Sequence, residues 1–186
     1  VRQENGGVGS ARNAGVRVAR ADFVAFLDAD DAYHAHRLEA LAALAVDRPD
    51  LDILTTDTLF LVDGEAAGRY HTTHPFPVAD QRTAILRTCF TFGCPAIRRT
   101  RLLEVGGFAE DLRTGSDWDC IARLILGGSS AGLVDEPLLE YRIRPDSLTS
   151  DRVGALWSRV HMLERLGETF DLDENEKAEL SRSLVH

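Results

Sequence analysis

Three carboxylates crowd the segment FVAFLDADD, where Asp28, Asp30 and Asp31 follow an apolar run at the point a buried strand would leave its sheet. Carboxylates this close repel one another, so some partner must make the arrangement tolerable. One candidate is the set of free amides at the start of a following helix, which an aspartate caps. The other is a divalent cation. A hard ion such as Mg²⁺ or Mn²⁺ prefers carboxylate oxygen and often takes one or two protein carboxylates, while phosphate oxygens and water complete its shell. On an extended chain Asp28 and Asp30 point to one side and Asp31 to the other. Asp28 and Asp30 are therefore the candidate metal pair and Asp31 the candidate helix cap, and the local pattern leaves metal binding and capping level.

Two further stretches carry chemistry-bearing residues. In GGVGSARN, free backbone amides ahead of a helix can cradle a phosphate, with Arg12 adding a charge-assisted contact. The stretch matches neither GxGxxG nor GxxxxGK[ST], and a tight turn is the simpler local reading of its glycines. In TGSDWDCIARLI, Asp117 and Asp119 flank Trp118 at an expected helix start, where the helix dipole favours carboxylates. A functional Asp117 would act as a general base on a hydroxyl, and Trp118 suits either a sugar-lining face or the core. His71 and His74, in HTTHPFP, have the chemistry of metal ligands but read as solvated loop histidines.

The surrounding pattern supplies the elements that would hold these groups. NGGVGSARNAGVRVA reads as a loop feeding a helix, Phe23 to Leu27 as a strand buried on both faces, Arg37 to Val46 as a helix stopped by Pro49, and Leu51 to Thr55 as the next strand. This alternation points to an α/β layer with parallel strands, whose ligands sit beyond the strands' carboxyl ends. Asp63-Gly64 lies between apolar runs as a hairpin signal. Beyond it come a helix over Gln81 to Arg87, a short strand over Ala96 to Arg98, and a helix in RLLEVGG with Thr100 as a candidate cap. Further on are an amphipathic helix over Asp117 to Leu126, and strands over Gly132 to Val134 and Leu138 to Ile143 separated by DEP. Helices from Ser150 to Leu166 and Asn175 to Leu184 close the chain.

Composition bounds the rest. At 186 residues, 44% hydrophobic and 27% charged, the chain is ordinary for one globular domain. A formal net charge of -9 argues against general affinity for nucleic acid or anionic membrane, although arginines and a metal can hold an anionic substrate locally. Lys177 is the only lysine. Cys89, Cys94 and Cys120 form an odd set without metal-binding spacing, which favours reduced thiols and a cytoplasmic setting, soluble or peripheral to a membrane. No apolar run approaches the roughly 20 residues of a membrane span.

In order along the chain, NGGVGSARNAG, FVAFLDADD, LDILTTD, RRTRLLEVGGFAEDLRTGSDWDCIARLI and VDEPLLEYRIRPDSLT resemble the successive blocks of family 2 glycosyltransferases, from about Asn5 to about Ser150. The resemblance implies a GT-A fold, an α/β Rossmann-like mixed and mainly parallel sheet flanked by helices. It also implies inverting transfer of a sugar from a nucleotide-diphosphate donor to an acceptor hydroxyl with Mn²⁺ or Mg²⁺. By position, Asp28 is expected at the donor ribose or the metal, Asp30 on the metal, Asn5, Arg12 and Asn13 on the donor side, Asp117 as the base and Trp118 at the sugar or acceptor. Ser116 replaces the glutamate that often precedes the base. Arg144 stands where relatives carry histidine, so it would contact the diphosphate and not ligate the cation.

Family members usually begin with a strand, helix and second strand that build much of the nucleotide-base pocket. This chain starts at Val1 without them and reads as an N-terminally truncated piece, with residues 1–150 a partial catalytic domain and 151–186 a helical extension packed on it. The other readings are a non-catalytic nucleotide-sugar-binding module and a haloacid-dehalogenase-type phosphatase. The phosphatase also places DxD after a strand, but it needs a lysine near phosphate, and Lys177 lies far outside the matching blocks. Neither the donor sugar nor the acceptor is named by any residue pattern.

Overall fold

The computed structural model describes residues 2–145, 147 and 151–185. In chain order the elements are α1 (Gly7–Val18), β1 (Phe23–Ala25), β2 (Ala32–Tyr33), α2 (Arg37–Asp47), β3 (Ile53–Val62), β4 (Glu65–Arg69) and α3 (Tyr70–Thr73). They continue with α4 (Gln81–Arg87), β5 (Ala96–Arg98), α5 (Arg99–Glu104), α6 (Ser116–Leu126), β6 (Ala131–Ile143), α7 (Arg152–Thr169) and α8 (Glu174–Val185). The sheet runs β1-β5-β3-β6-β2, with β4 as a hairpin partner on β3. Among the described residues no helix is long and apolar enough to cross a membrane.

The fold is α/β with a mixed sheet, but its parallel share is smaller than the helix–strand alternation suggests. Among the described pairings only β3 with β6 is parallel. The reason is β5, which lies between β1 and β3 and runs against both. The connection through α2 does leave β1 and β3 pointing the same way, as a crossover requires, so their carboxyl ends open at one edge.

Strand β3 forms the middle of the sheet because its first six residues are buried without alternation, as in a strand covered on both faces. Asp63-Gly64 makes a two-residue turn with positive φ at both positions, 52° and 85°, and Val62 pairs Glu65 across it. The DEP segment does not separate two strands. It is a bulge within β6, where the register steps from Thr56↔Val134 to Asp57↔Pro137 and then Thr58↔Leu139. An irregular position of this kind tolerates Pro137, which has no N–H for the ladder.

Helix α6 is more than amphipathic. Cys120, Ile121, Ala122, Leu124, Ile125 and Leu126 are all buried, and they form one core with Ile85 and Leu86 of α4, Ile97 of β5, and Met162, Leu163 and Leu166 of α7. Each fully buried aliphatic side chain contributes about 1.5–3 kcal/mol relative to exposure. This packing fixes the start of α6 against the open edge of the sheet. The helix expected from Ser150 runs over α7; Ser150 itself and part of the DSLT stretch lie outside the described residues.

Candidate functional site

A cavity of about 390 Å³ opens beyond β1, lined among others by Arg12, Asp28, Asp30, Asp31, Arg113 and Asp117. The aspartates reach it differently from the extended arrangement their spacing suggests. Residues 28–31 form a turn closed by the Asp31 N–H donating to the Asp28 carbonyl at 3.1 Å.

Each carboxylate in the turn has its own solution to the crowding. Asp28 accepts from Arg12 Nη2 through both oxygens, at 2.8 and 3.0 Å. Burial works against the charge on Arg12, but the charges of Asp28 and then Asp117 raise its pKa above the ordinary guanidinium value. The Arg12 guanidinium also lies over the Phe108 ring, 5.4 Å from its centroid. Asp31 is not a helix cap. Strand β2 intervenes before α2 begins at Arg37, and Asp31 Oδ1 instead accepts the Arg142 N–H at 3.2 Å, tying the turn to β6. Asp30 is exposed, and among the described residues its carboxylate has no hydrogen-bond or ion-pair partner.

Burial pushes the Asp31 carboxyl up to about 6, with the charges of Asp30 and Asp28 adding to the rise. The folded protein thus holds this proton more tightly than the unfolded chain does. The stabilisation is fully present below the ordinary carboxyl value of 3.8 and is lost as pH rises through about 6. Urea midpoints of the metal-free protein between these two values should therefore include a falling component that Asp31→Asn lacks. Parallel profiles for the two proteins would show the assignment to be wrong.

Asp117 sits exposed in the first turn of α6, just after Gly115, whose φ is +73°. Its Oδ1 accepts the Trp118 N–H at 2.9 Å. Trp118 itself does not line this cavity. Its Nε1–H donates to the Ile85 carbonyl at 2.7 Å and anchors α6 to α4.

The other expected site residues are placed apart from the aspartates. Asn13 is buried and grips the loop after α5: its Oδ1 accepts the Phe108 N–H at 2.8 Å, and its Nδ2 donates to the Phe108 carbonyl and Glu110 Oε1 at 2.9 and 2.8 Å. Asn5 is exposed and accepts the Gly7 N–H at the start of α1. Arg144 is exposed and does not line the cavity. Gly9 serves a close approach between segments: a Cβ there would lie 2.4 Å from the Ala109 carbonyl oxygen.

Sequence reasoning missed Arg113 in the lining, and Arg37 behind it. Arg37 is wholly buried, donates from Nη2 to the Cys94 carbonyl at 2.9 Å, and stacks 4.2 Å from the centroid of the Tyr33 ring. Tyr33 Oη in turn donates to the Phe26 carbonyl, so this pair braces the aspartate turn from beneath. Burial lowers the pKa of Arg37. A single arginine among many, with its partners 57 positions along the chain or on a ring face, carries no local signal.

Among the described residues no three His, Cys, Asp or Glu side chains group to hold a metal. Two carboxylates facing one cavity, one of them without a partner, suit a hard cation whose other positions come from phosphate and water, not an all-protein cage. His71 and His74 form no such site: His71 Nδ1 meets the His74 carbonyl, and His74 stacks on Tyr70. Lys177 pairs with Glu174 on α8 and is absent from the cavity lining, so the phosphatase reading lacks its cation.

The sequence profile of the family described as Glycosyl transferase family 2 matches residues 1–106. The chain belongs to that family. Among similar proteins, the O-antigen biosynthesis protein RfbC of Myxococcus xanthus is 34% identical over 81% of this chain and 11% of its own length. The pre-mycofactocin glycosyltransferase of Mycobacterium tuberculosis is 33% identical over 66% of this chain and 27% of its own. This family 2 chain thus spans a minor part of these relatives. In solved structures, S. aureus TarS 1–349 in complex with UDP-GlcNAc superposes with a TM-score of 0.74 at 18% identity, covering 99% of this chain and 54% of that one. A mannosyltransferase from Pyrobaculum calidifontis, in complex with GDP-Man and Mn²⁺, gives 0.69 at 15% identity, covering 98% and 50%. The fold of this family 2 chain is accordingly of the GT-A type.

Proposed function

We propose that the chain carries the donor-metal and base groups of an inverting glycosyltransferase that moves a sugar from a nucleotide diphosphate to an acceptor hydroxyl. The carrying observation is that one cavity gathers Asp28 and Asp30 from the exit of β1 with Asp117 from the start of α6. A dication held at Asp28 and Asp30 would supply charge neutralisation for the departing diphosphate. The neighbours bound to UDP-GlcNAc and to GDP-Man with Mn²⁺ support this class of donor.

Asp30 is the principal ligand in this reading, because among the described residues its carboxylate has no competing partner. Asp28 is oriented by Arg12, whose Nη2 is shared between both of its carboxylate oxygens. Asp117 takes the proton from the acceptor hydroxyl as that oxygen attacks the anomeric carbon, on the face opposite the departing diphosphate. Asn13 acts at one remove, since its three hydrogen bonds set the Phe108 ring beneath Arg12. Trp118 and Asn5 have structural partners and carry no donor contact in this reading. The free thiols Cys89, Cys94 and Cys120 are compatible with a cytoplasmic, reducing setting.

Nucleotide binding tests the metal assignment. Calorimetry with UDP, GDP and dTDP should give measurable affinity only with Mn²⁺ or Mg²⁺, and Asp30→Ala should weaken it by about tenfold or more, as loss of a charged ligand does. Equal affinity without metal, or with Ala at position 30, would overturn the assignment. Slow release of nucleotide diphosphate from a donor separates an enzyme from a binding module that holds the donor intact.

A further inference from the structure

A second cavity, of about 380 Å³, adjoins the first at Thr114 and Gly115, residues common to both linings. Its remaining walls come from Trp118 on α6 and from Arg152, Leu156, Arg159 and Met162 on α7. Two features distinguish it. Thr114 Oγ1 and Arg159 Nε are both buried without a hydrogen-bond partner among the described residues, so two of the five such orphaned polar side-chain atoms lie on residues of this lining, the others being on Arg37 and Arg165. Buried donors without partners are uncommon in folded proteins, and a bound group is one explanation of them. In addition, neither Arg152 nor Arg159 has a carboxylate partner among the described residues, whereas Arg113, beside Asp151, and Arg165, on the same helix, are both paired.

The charge pattern agrees. In a chain with net charge -9, the stretch Arg152 to Leu163 has two arginines and no Asp or Glu. The acids that bound this stretch are Asp151 and Glu164; Asp151 is engaged by the Gly154 N–H at 3.0 Å and by Arg113 at 3.7 Å. Arg159 is held over the Trp118 ring, 5.7 Å from its centroid, which orients the guanidinium, and among the described residues its N–H donors have no partner. A planar guanidinium with open donors recognises phosphate or carboxylate. The floor of Trp118, Leu156 and Met162 suits the apolar face of a sugar or polyol.

We infer that this cavity is an acceptor subsite for an anionic group, a phosphate or a carboxylate carried by the sugar or polyol whose hydroxyl approaches Asp117. The inference rests on the transferase reading, since it is the shared Thr114–Gly115 wall that sets the subsite beside Asp117 rather than beside Asp28 and Asp30. It names the acceptor as negatively charged.

Titration of the ¹⁵N-labelled protein, followed at the Trp118 indole N–H, tests it with glycerol 1-phosphate, glucuronate and glycerol as probes. A saturable shift with the phosphate ester, with glucuronate, or with both supports the subsite and tells which anion it prefers. Arg159→Gln should weaken that binding by about tenfold. Arg152→Gln, at an exposed position, should weaken it in the same direction if Arg159→Gln fails to fold. Neither anion exceeding glycerol, or saturation unchanged in these variants, overturns the proposal. Calorimetry of UDP with Mn²⁺ on the same samples keeps the two readings apart: anion binding without nucleotide binding supports the subsite and removes only the donor assignment.

Discussion

Asp117→Asn is expected to lower sugar transfer by about 10²–10⁴-fold, the usual contribution of a general base, while metal-dependent nucleotide binding stays as in the parent protein. Asparagine is close to isosteric and its oxygen can still accept the Trp118 N–H, so the first turn of α6 is preserved. What disappears is the carboxylate's ability to take a proton. Asp117 is exposed at the cavity wall, and one of its oxygens is already used by Trp118, which leaves the other for an acceptor hydroxyl. The loss should fall on kcat, because proton removal matters in the transition state and not in donor binding. Transfer at the parent rate would show that the base lies elsewhere, and a parallel loss of nucleotide affinity would show that Asp117 acts on the donor side.

What could be read from the chain was what neighbours in sequence decide. The Asp63-Gly64 turn and the start of α6 each depend on a few adjacent residues, and each lies where local chemistry placed it, whereas the strand expected over Phe23 to Leu27 with both faces buried is only Phe23–Ala25, with Leu27 exposed. Position along the sheet did not follow from such signals. A crossover gives β1 and β3 the same direction but says nothing of β5, which arrives later and slots between them. Likewise Asp31 had the composition of a cap and became a tie to Arg142, a partner 111 positions away. Asn13 read as a ligand for the donor, yet its amide is consumed by Phe108 and Glu110. Polar side chains with long-range backbone partners look the same in sequence as polar side chains awaiting a ligand.

The pair Asp117 and Asp119 makes the same point with a measurable consequence. Two residues apart on a helix, they point about 200° apart around its axis, so one faces the cavity while the other enters the core. Asp119 is 0% exposed and accepts from Arg123 Nε and Nη2 at 2.9 and 2.6 Å and from Arg165 Nη2 at 2.6 Å. Arg123 also donates to the carbonyls of Val105 and Gly107, and Arg165 to Asp111. One carboxylate therefore ties α6, α7 and the turn after α5 together. Asp119→Ala leaves a largely buried guanidinium without its counter-charge, a change that costs about 3–5 kcal/mol. That is a large fraction of a typical total of about 5–15 kcal/mol, and at ~2–4 °C per kcal/mol it should lower the melting temperature by roughly 6–20 °C. Arg165→Gln, at a residue one third exposed, should cost about 1 kcal/mol or less, because solvent screens its share of the pairing. Asp119→Asn should fall between the two, since it keeps an acceptor oxygen but not the charge. Below its own melting temperature Asp119→Asn should still transfer sugar near the parent rate, whereas Asp117→Asn should stay about 10²–10⁴-fold slower at every temperature. A calorimetric scan in which Asp119→Ala melts with the parent protein would remove the tie, and with it the account of how α6 is held facing the aspartate turn.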